Sequence, residues 1–566
     1  MYFLHKFPVE NLFVLCRYTE YLSSIFQLVA HTNIDPCIPF SSGIIIRKHH
    51  LAIMAVKANG TKQDGRHGSE KLSDAQYLYI SGSATESSDS STFQVTNPMT
   101  GEHIYDCSSA MVEDYEIAIQ SAQQAYKTWS RMPPSARRLI FLKAADILDD
   151  YLAQVEGVTA AEILTAEVSA TKSWIAVNIK ASSGTLREAA GLVSHIKGEV
   201  VNADRPGTTI MVLREAVGVI FAISPWNAPV NLTARAIATP LICGNTVVLK
   251  PSEFTPKSQY LMVKALTEAG LPTGALNFVP TRPSDAAKVT EYAVKHPLVR
   301  RVNFTGSDRV GTIIAGWASS VLKQCVLELG GKAPVLVLDD ANIDDAIEAV
   351  IFGALSNNGQ ICMSTERVIV NRNIAADFRE KLVERVERLK TGNQYDDPDV
   401  TISGLYTPAS AKRVMGVIKN GIEEGAQLLT GDLKISGPNG TIIKPHILDK
   451  VTMGMQISQQ ETFGPLICLY EVAGDDEAVE VANASQFTLC ASVFSKDVLR
   501  AMDIGKEIRS GSVHVNGPTV YIEATLPNGG TGGRSGYGRF GGMAGVDEFT
   551  ERKILSLARP GIKCPF

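Results

Sequence analysis

No apolar run in this chain approaches the roughly 20 residues that a membrane-spanning helix needs. The most apolar stretch, residues 1–30, is broken by Lys6, Pro8, Glu10, Arg17 and Glu20. It lacks the unbroken apolar centre and small-residue cleavage site of a secretory signal, and the Arg-rich, acid-poor character of a mitochondrial presequence. Positive charge is not in excess. The net charge of −5 provides no electrostatic footprint for nucleic acid. Cysteine is sparse and unpatterned: nine residues, an odd number, with no C-x-x-C. That excludes a zinc ribbon, predicts no metal site, and fits reduced thiols in the cytoplasm, with the mitochondrion left open. No G-x-G-x-x-G follows a strand and opens a helix, which disfavours an ordinary Rossmann dehydrogenase. The glycine-rich run 529–539 lacks the Lys-Ser/Thr of a phosphate-binding P-loop.

What is present is ordinary for a globular protein: 566 residues, 45% apolar and 20% charged. That length suggests roughly three to four domain-sized units. Residues 1–75 read differently from the remainder, and 55–75 are polar and expected to be disordered. Residues 1–53 are expected to lie outside the working fold, with Met54 as the natural start.

From Gln76 the pattern becomes regular. Phe93 to Pro98 reads as a short strand entering a turn. Helices are expected over 112–129 and 135–170, separated by Pro133 and Pro134. Residues 200–219 are β-rich around Asp204-Arg205-Pro206-Gly207, a hairpin signal. Strands at 216–223, 246–250, 275–280, 299–305 and 324–329 then alternate with helices at 229–242, 255–269, 284–295 and 307–320. This alternation predicts an α/β fold with a parallel, doubly wound sheet, which binds ligands at the carboxyl ends of its strands. Further strands near 334–338, 366–371, 465–472, 491–495 and 511–515 predict a second α/β domain.

The strand ends carry the unusual polar residues. Pro225-Trp226-Asn227-Ala228-Pro229 is a stiff loop. Its Asn227 amide is either a turn former or a donor to a developing oxyanion. Lys250-Pro251-Ser252-Glu253 suits an adenosine ribose, where Glu253 would accept from both hydroxyls and repel a 2′-phosphate; a solvated surface pair fits equally well. Gly306 and Ser307, at a helix start, make an anion site. Glu328, ahead of Gly330-Gly331, is either a general base or part of a turn. Asn357-Asn358-Gly359-Gln360-Ile361-Cys362-Met363-Ser364 links a helical run to a strand, and Gly359 permits a sharp bend. Cys362 is then either a buried small hydrophobe or an accessible nucleophile.

Taken together and in this order, these segments resemble the aldehyde dehydrogenase superfamily over roughly residues 76–566. The match is carried by P-W-N-A-P at 225–229, G-N-T-V-V-L-K-P-S-E at 244–253, F-T-G-S at 304–307 and L-E-L-G-G-K at 327–332. It continues with N-G-Q-I-C at 358–362, E-T-F-G-P at 461–465 and S-G-Y-G-R at 535–539. Glu328 precedes Cys362 by 34 residues, the family's separation. The wording of 300–307 and 362–367 is similar to the branch acting on aromatic aldehydes, of the salicylaldehyde and vanillin dehydrogenase type.

The resemblance implies two doubly wound domains: an NAD-binding domain over 76–199 and 220–330, and a catalytic domain over 331–539. It also implies oligomerisation elements at 200–219 and 540–566, and a homodimer or homotetramer. The implied activity is oxidation of an aldehyde to the acid, with Cys362 as nucleophile, Asn227 and the Cys362 N–H holding the oxyanion, and Glu328 activating water. The implied cofactor is NAD, with NADP disfavoured by Glu253. Its implied contacts are Trp226, Lys250, Ser252, Glu253, Gly306, Ser307, Leu329, Glu461 and Phe463. A separate hydrolytic base argues against the CoA-acylating branch. Gln460 replaces the first of two usual Glu residues. The 527–536 glycine loop lacks the family's Phe and Lys and is one residue longer, which leaves the loop's order open. A non-catalytic binding or structural member of the same fold is the competing reading. The intact Asn227, Glu328 and Cys362 argue against it.

Overall fold

In the computed structural model, residues 71–153 and 158–561 are described. The expectations for residues 1–53 and Met54 lie outside them. Residues 71–75, expected as part of a disordered leader, instead form a turn in which Lys71 N–H donates to Asp74 at 2.8 Å and Lys257 Nζ donates to the Leu72 carbonyl at 2.9 Å.

The chain builds two large sheets. The first runs in spatial order Gly536–Tyr537, Gln324–Glu328, Val299–Thr305, Val219–Ile223, Thr246–Lys250, Leu276–Phe278, Leu78–Ile80 and Ser83–Thr85. The five strands from Gln324–Glu328 to Leu276–Phe278 are parallel, and the outer ones pair antiparallel. The central strands are rich in Val and Ile, as suits strands covered on both faces: all five residues of Val219–Ile223 and of Thr246–Lys250 are buried. One face packs on Trp129, Phe141, Leu148 and Ile237, the other on Tyr115, Ile119, Val289 and Ile314. The crossover helices Pro229–Ile242, Pro256–Ala269 and Pro283–Lys295 each begin with Pro, whose fixed φ suits a helix start. Gly270, at φ +104°, closes the second.

The second sheet runs Gln427–Thr430, His446–Asp449, Leu466–Val472, Thr365–Asn371, Ala333–Val337, Cys490–Phe494 and Ser512–Val515. All neighbours are parallel except the first pair. Its faces pack on Val414, Ile418 and Ile504, and on Ile347, Phe378 and Leu382. This is the expected two-sheet α/β architecture. The hairpin also forms: Glu199–Val201 pairs with Thr208–Ala216, which then pairs with the late strand Thr550–Ala558. That last strand is an exposed edge, with Ile554 72% accessible.

The single helix expected over 135–170 is corrected. Pro134–Ala153 and Ala160–Val168 are separate helices, and a third spans Lys172–Leu192. Thr159 and Glu162 form a reciprocal capping box that starts the second helix, and Ser169, at φ +53°, ends it. A continuous apolar periodicity hid these polar start and stop signals.

Candidate active site

The functional segments gather where the carboxyl ends of the first sheet meet the amino ends of strands in the second. Pro225–Asn227 follows Val219–Ile223, Gly306 follows Val299–Thr305, and Leu329 follows Gln324–Glu328. From the other side, Lys332 precedes Ala333–Val337, Cys362 precedes Thr365–Asn371, and Glu461–Phe463 precedes Leu466–Val472.

Cys362 sits just past a 3-10 turn, Ser356–Gly359, that ends the helix Ile343–Leu355. Asn357 and Asn358 both adopt left-handed φ, +49° and +58°. That costs a non-glycine residue energy and persists only where side chains fix it. Here Asn358 is fixed by the Gly404 carbonyl (2.8 Å) and the Ser403 N–H (2.8 Å). Gly359 continues at φ +73°, and a Cβ on it would lie 2.2 Å from the Gly464 carbonyl oxygen. Gly331 is constrained from the opposite side, since its Cβ would lie 2.0 Å from the Cys362 oxygen. Both glycines therefore let backbone approach backbone around the thiol.

The Cys362 thiol lies 3.4 Å from Glu328 Oε1. Glu328 is buried and its other oxygen pairs with Arg235, itself largely buried. Arg235 stacks over the Phe540 ring, 4.9 Å from its centroid. Burial first, then the Glu328 carboxylate, push the Cys362 thiol well above the ordinary range, and Arg235 pulls it back. Asn227 donates one amide hydrogen to the Gln360 carbonyl, two residues before Cys362, at 2.9 Å, and lines the same two cavities as the thiol. Its own carbonyl is held by Trp174 Nε1 at 2.9 Å and Asn357 Nδ2 at 3.1 Å. The Cys362 backbone N–H donates to no group among the described residues. Cys362, Asn227 and Glu328 are thus brought together, as expected.

Two cavities meet at Cys362, which lines both together with Asn227 and Leu232. The first, about 340 Å³, is walled mainly by apolar groups including Trp174, Val177, Phe352, Ile402 and Ile522, with Arg235, Asn231, Asn357 and several hydroxyl side chains among its polar groups. The second, about 260 Å³, is lined by Trp226, Gly306, Ser307, Leu329, Glu461 and Phe463. The helix Asp308–Ser319 starts here, with Ser307 as its N-cap. Glu461 accepts from Gly331 N–H at 2.8 Å, and burial and then Glu366 raise its pKa to about 8. Trp226 stacks on Tyr406 at 3.7 Å and meets Phe463 edge-on at 5.8 Å.

Six of the nine expected cofactor positions therefore share one cavity. Lys250, Ser252 and Glu253 do not line it. They lie at and just past the end of the adjacent strand Thr246–Lys250, where Lys250 Nζ, buried, donates to the Pro251 carbonyl at 3.4 Å. The reading of Lys250 and Glu253 as a solvated surface pair fails for the buried Lys250. The end of the glycine loop packs against the first sheet: Gly536–Tyr537 pairs antiparallel with Leu327 and Glu328, and Ser535 Oγ donates to the Gly330 carbonyl at 2.7 Å. Among the described residues no cluster of His, Cys, Asp or Glu could hold a metal ion.

Sequence reasoning passed over Arg235, Asn357 and Tyr406. Arg235 did leave a signal, as the one charged residue in the apolar helix Pro229–Ile242. Replacing it with Met is expected to leave the Glu328 charge buried and unpaired, which costs on the order of 3–5 kcal/mol. Thiol alkylation at fixed pH should also slow, because the thiolate loses its cation. Denaturant unfolding and iodoacetamide kinetics check both, and unchanged values in both would remove Arg235 from the site.

The thiol, carboxylate and amide on a doubly wound scaffold, between an apolar and a helix-capped cavity, define an aldehyde-oxidising enzyme, and the aldehyde dehydrogenase family model matches residues 85–555. The chain belongs to that family. It is 43% identical to salicylaldehyde dehydrogenase from Pseudomonas sp. strain C18 over 480 residues, covering 85% of this chain and 97% of that one. It is 42% identical to vanillin dehydrogenase from Pseudomonas sp. strain HR199, over the same shares. The crystal structure of a salicylaldehyde dehydrogenase from Pseudomonas putida G7 complexed with salicylaldehyde superposes with a TM-score of 0.83 at 41% identity, covering 87% of this chain and all of that one.

Proposed function

We propose that this aldehyde dehydrogenase oxidises an aromatic aldehyde to its carboxylic acid through a thioester on Cys362, with NAD in the helix-capped cavity. The observation that carries the reading is the position of Cys362 between the two cavities, with Asn227 and Glu328 beside it. The apolar walls and Trp174 suit a flat ring, and relatives named for salicylaldehyde and vanillin support that choice.

The residues of the second cavity fit a dinucleotide. The helix N-terminus at Ser307 favours a pyrophosphate, the Glu461 carboxylate can accept from ribose hydroxyls, and the Phe463 and Trp226 rings offer faces and edges to a nicotinamide. Bound there, the dinucleotide supplies the hydride acceptor. Glu253 sits past the neighbouring strand end, where a carboxylate repels a 2′-phosphate, so NAD is favoured over NADP.

Glu328 takes the thiol proton across the 3.4 Å contact, and the Cys362 sulfur then bonds to the aldehyde carbon. The carbonyl oxygen becomes an oxyanion that accepts from the second Asn227 amide hydrogen and from the Cys362 backbone N–H. Loss of hydride re-forms the carbonyl as a thioester. Glu328, having passed its proton to solvent, takes one from water, which displaces the sulfur and releases the acid.

The test is a kinetic comparison by reduced-cofactor absorbance. Benzaldehyde-type substrates are expected to exceed long aliphatic and amino aldehydes in kcat/KM by about tenfold or more, since one ring-sized apolar contact is worth a few kcal/mol. Equal values across the three classes would contradict the aromatic assignment.

A further inference from the structure

Lys332 and Glu366 form an ion pair that takes no part in the steps above. Both are buried, 1% and 3% exposed. Lys332 closes the Gly330-Gly331 segment behind Cys362, and Glu366 lies near the start of the strand Thr365–Asn371. The Glu366 carboxylate also reaches a third segment. Both of its oxygens accept from the Thr462 N–H at 2.9 Å, and Oε1 accepts from the Phe463 N–H at 3.2 Å. Lys332 Nζ donates to Thr462 Oγ1 at 3.1 Å, and Arg413 donates to the Thr462 carbonyl at 2.7 Å.

The peptide between Glu461 and Phe463 is therefore gripped on both sides. Phe463 needs that grip, because its φ of +51° is left-handed, a conformation that a non-glycine residue keeps only when its surroundings impose it. Glu461, one residue before the grip, is tied by its carboxylate to the N–H of Gly331, the residue before Lys332. Gln460, where a carboxylate was expected from the family pattern, takes no part. Its backbone N–H and side chain bond only within its own helical turn, to Gln456. The acid that balances Lys332 is Glu366.

We propose that Glu366 is a positioning residue for the dinucleotide. Paired with Lys332, it fixes the 461–463 backbone so that the Glu461 carboxylate and the Phe463 ring face the bound ribose and nicotinamide. The inference rests on the reading of that cavity as a dinucleotide site. Glu366 does not hold the thiol: the chain after Cys362 is held separately, by Thr519 Oγ1 to the Met363 carbonyl (2.7 Å) and Ser364 N–H to the Ile361 carbonyl (2.9 Å). The carboxylate's hydrogen bonds from the backbone all come from the cofactor side, from Thr462 and Phe463.

Two variants test this. Glu366→Gln removes the charge. The double variant Lys332→Met with Glu366→Leu removes both charges and both acceptors, so that no buried ion is left unpaired, and it carries the test if the single variant does not fold. Two readouts are taken: NAD binding by fluorescence titration, and hydrolysis of p-nitrophenyl acetate by Cys362 without cofactor. The expected result is an NAD Kd raised at least about tenfold, with ester hydrolysis kept within about twofold. A Kd changed by less than about threefold, or binding and ester hydrolysis lost in parallel, overturns the proposal. A parent protein that binds neither NAD nor NADP removes the cavity reading and this proposal with it, an outcome distinct from tight binding that the variants leave unchanged.

Discussion

Replacing Cys362 with Ala is expected to lower aldehyde oxidation by a factor on the order of 10⁴ or more, because the covalent route disappears with its nucleophile. No other described cysteine can substitute. Cys107, Cys243, Cys325, Cys468 and Cys490 are buried, and none lines either cavity. Burial pushes Cys243 and Cys468 to about 12 and Cys325 to about 11, so their thiolates are scarce near neutral pH. The fold should survive, since the Cys362 side chain makes a single hydrogen bond, to Glu328. Stability should change by about 1 kcal/mol or less, and cofactor binding should persist. Steady-state rates with unfolding and binding controls check this. A variant that folds and still oxidises aldehydes at a comparable rate would contradict the covalent route.

Glu328→Gln is expected to separate the two halves of the reaction. Hydride transfer should still occur once per site, as a burst of reduced cofactor slower than the parent's, because the thiol must then lose its proton to solvent while the Asn227 amide and the Cys362 N–H remain to hold the oxyanion. Hydrolysis should then limit turnover, slowed by roughly 10²–10⁴-fold with the loss of the general base. The variant has a second consequence. Arg235 loses its anionic partner in a buried setting, so stability should fall by about 3–5 kcal/mol. Stopped-flow absorbance resolves burst from steady state. An unchanged steady-state rate would show that some other group activates water.

How far the sequence revealed this site depends on the kind of interaction. Thr246–Lys250 is legible because a strand covered on both faces is a largely β-branched apolar run, whereas Val299–Thr305, with Arg300, Arg301 and Asn303 inside it, is legible from its place in the strand–helix alternation. Cys362, Glu328 and Asn227 stand in short motifs at strand ends, and the topology brings those ends together. The break between Ala153 and Ala160 was missed because an apolar helical period continues across it, and only the Thr159–Glu162 capping pair marks the new start. The edge strand Gln427–Thr430 and its neighbour His446–Asp449 are four residues each, too short to carry an alternation. The ion pairs were invisible for a different reason. Arg235 reaches Glu328, at the end of the strand Gln324–Glu328, from the helix Pro229–Ile242, and Glu366 grips residues 96 and 97 positions away; no local pattern encodes either contact. Lys250 and Glu253 stand at and just past the end of the neighbouring strand Thr246–Lys250, outside the central cavity, and that offset is set by the sheet order, which their motif does not encode.

The central claim is that an acyl group is carried on the Cys362 sulfur. Glu328→Gln protein, mixed with NAD and a benzaldehyde-type substrate and quenched in acid during the burst, should carry the mass of the corresponding acyl group. Peptide mapping should place that mass on the fragment containing Cys362, and alkaline hydroxylamine should release it. Reduced cofactor formed in the same sample with no acyl group on that fragment, or with the acyl group on another residue, would contradict the account.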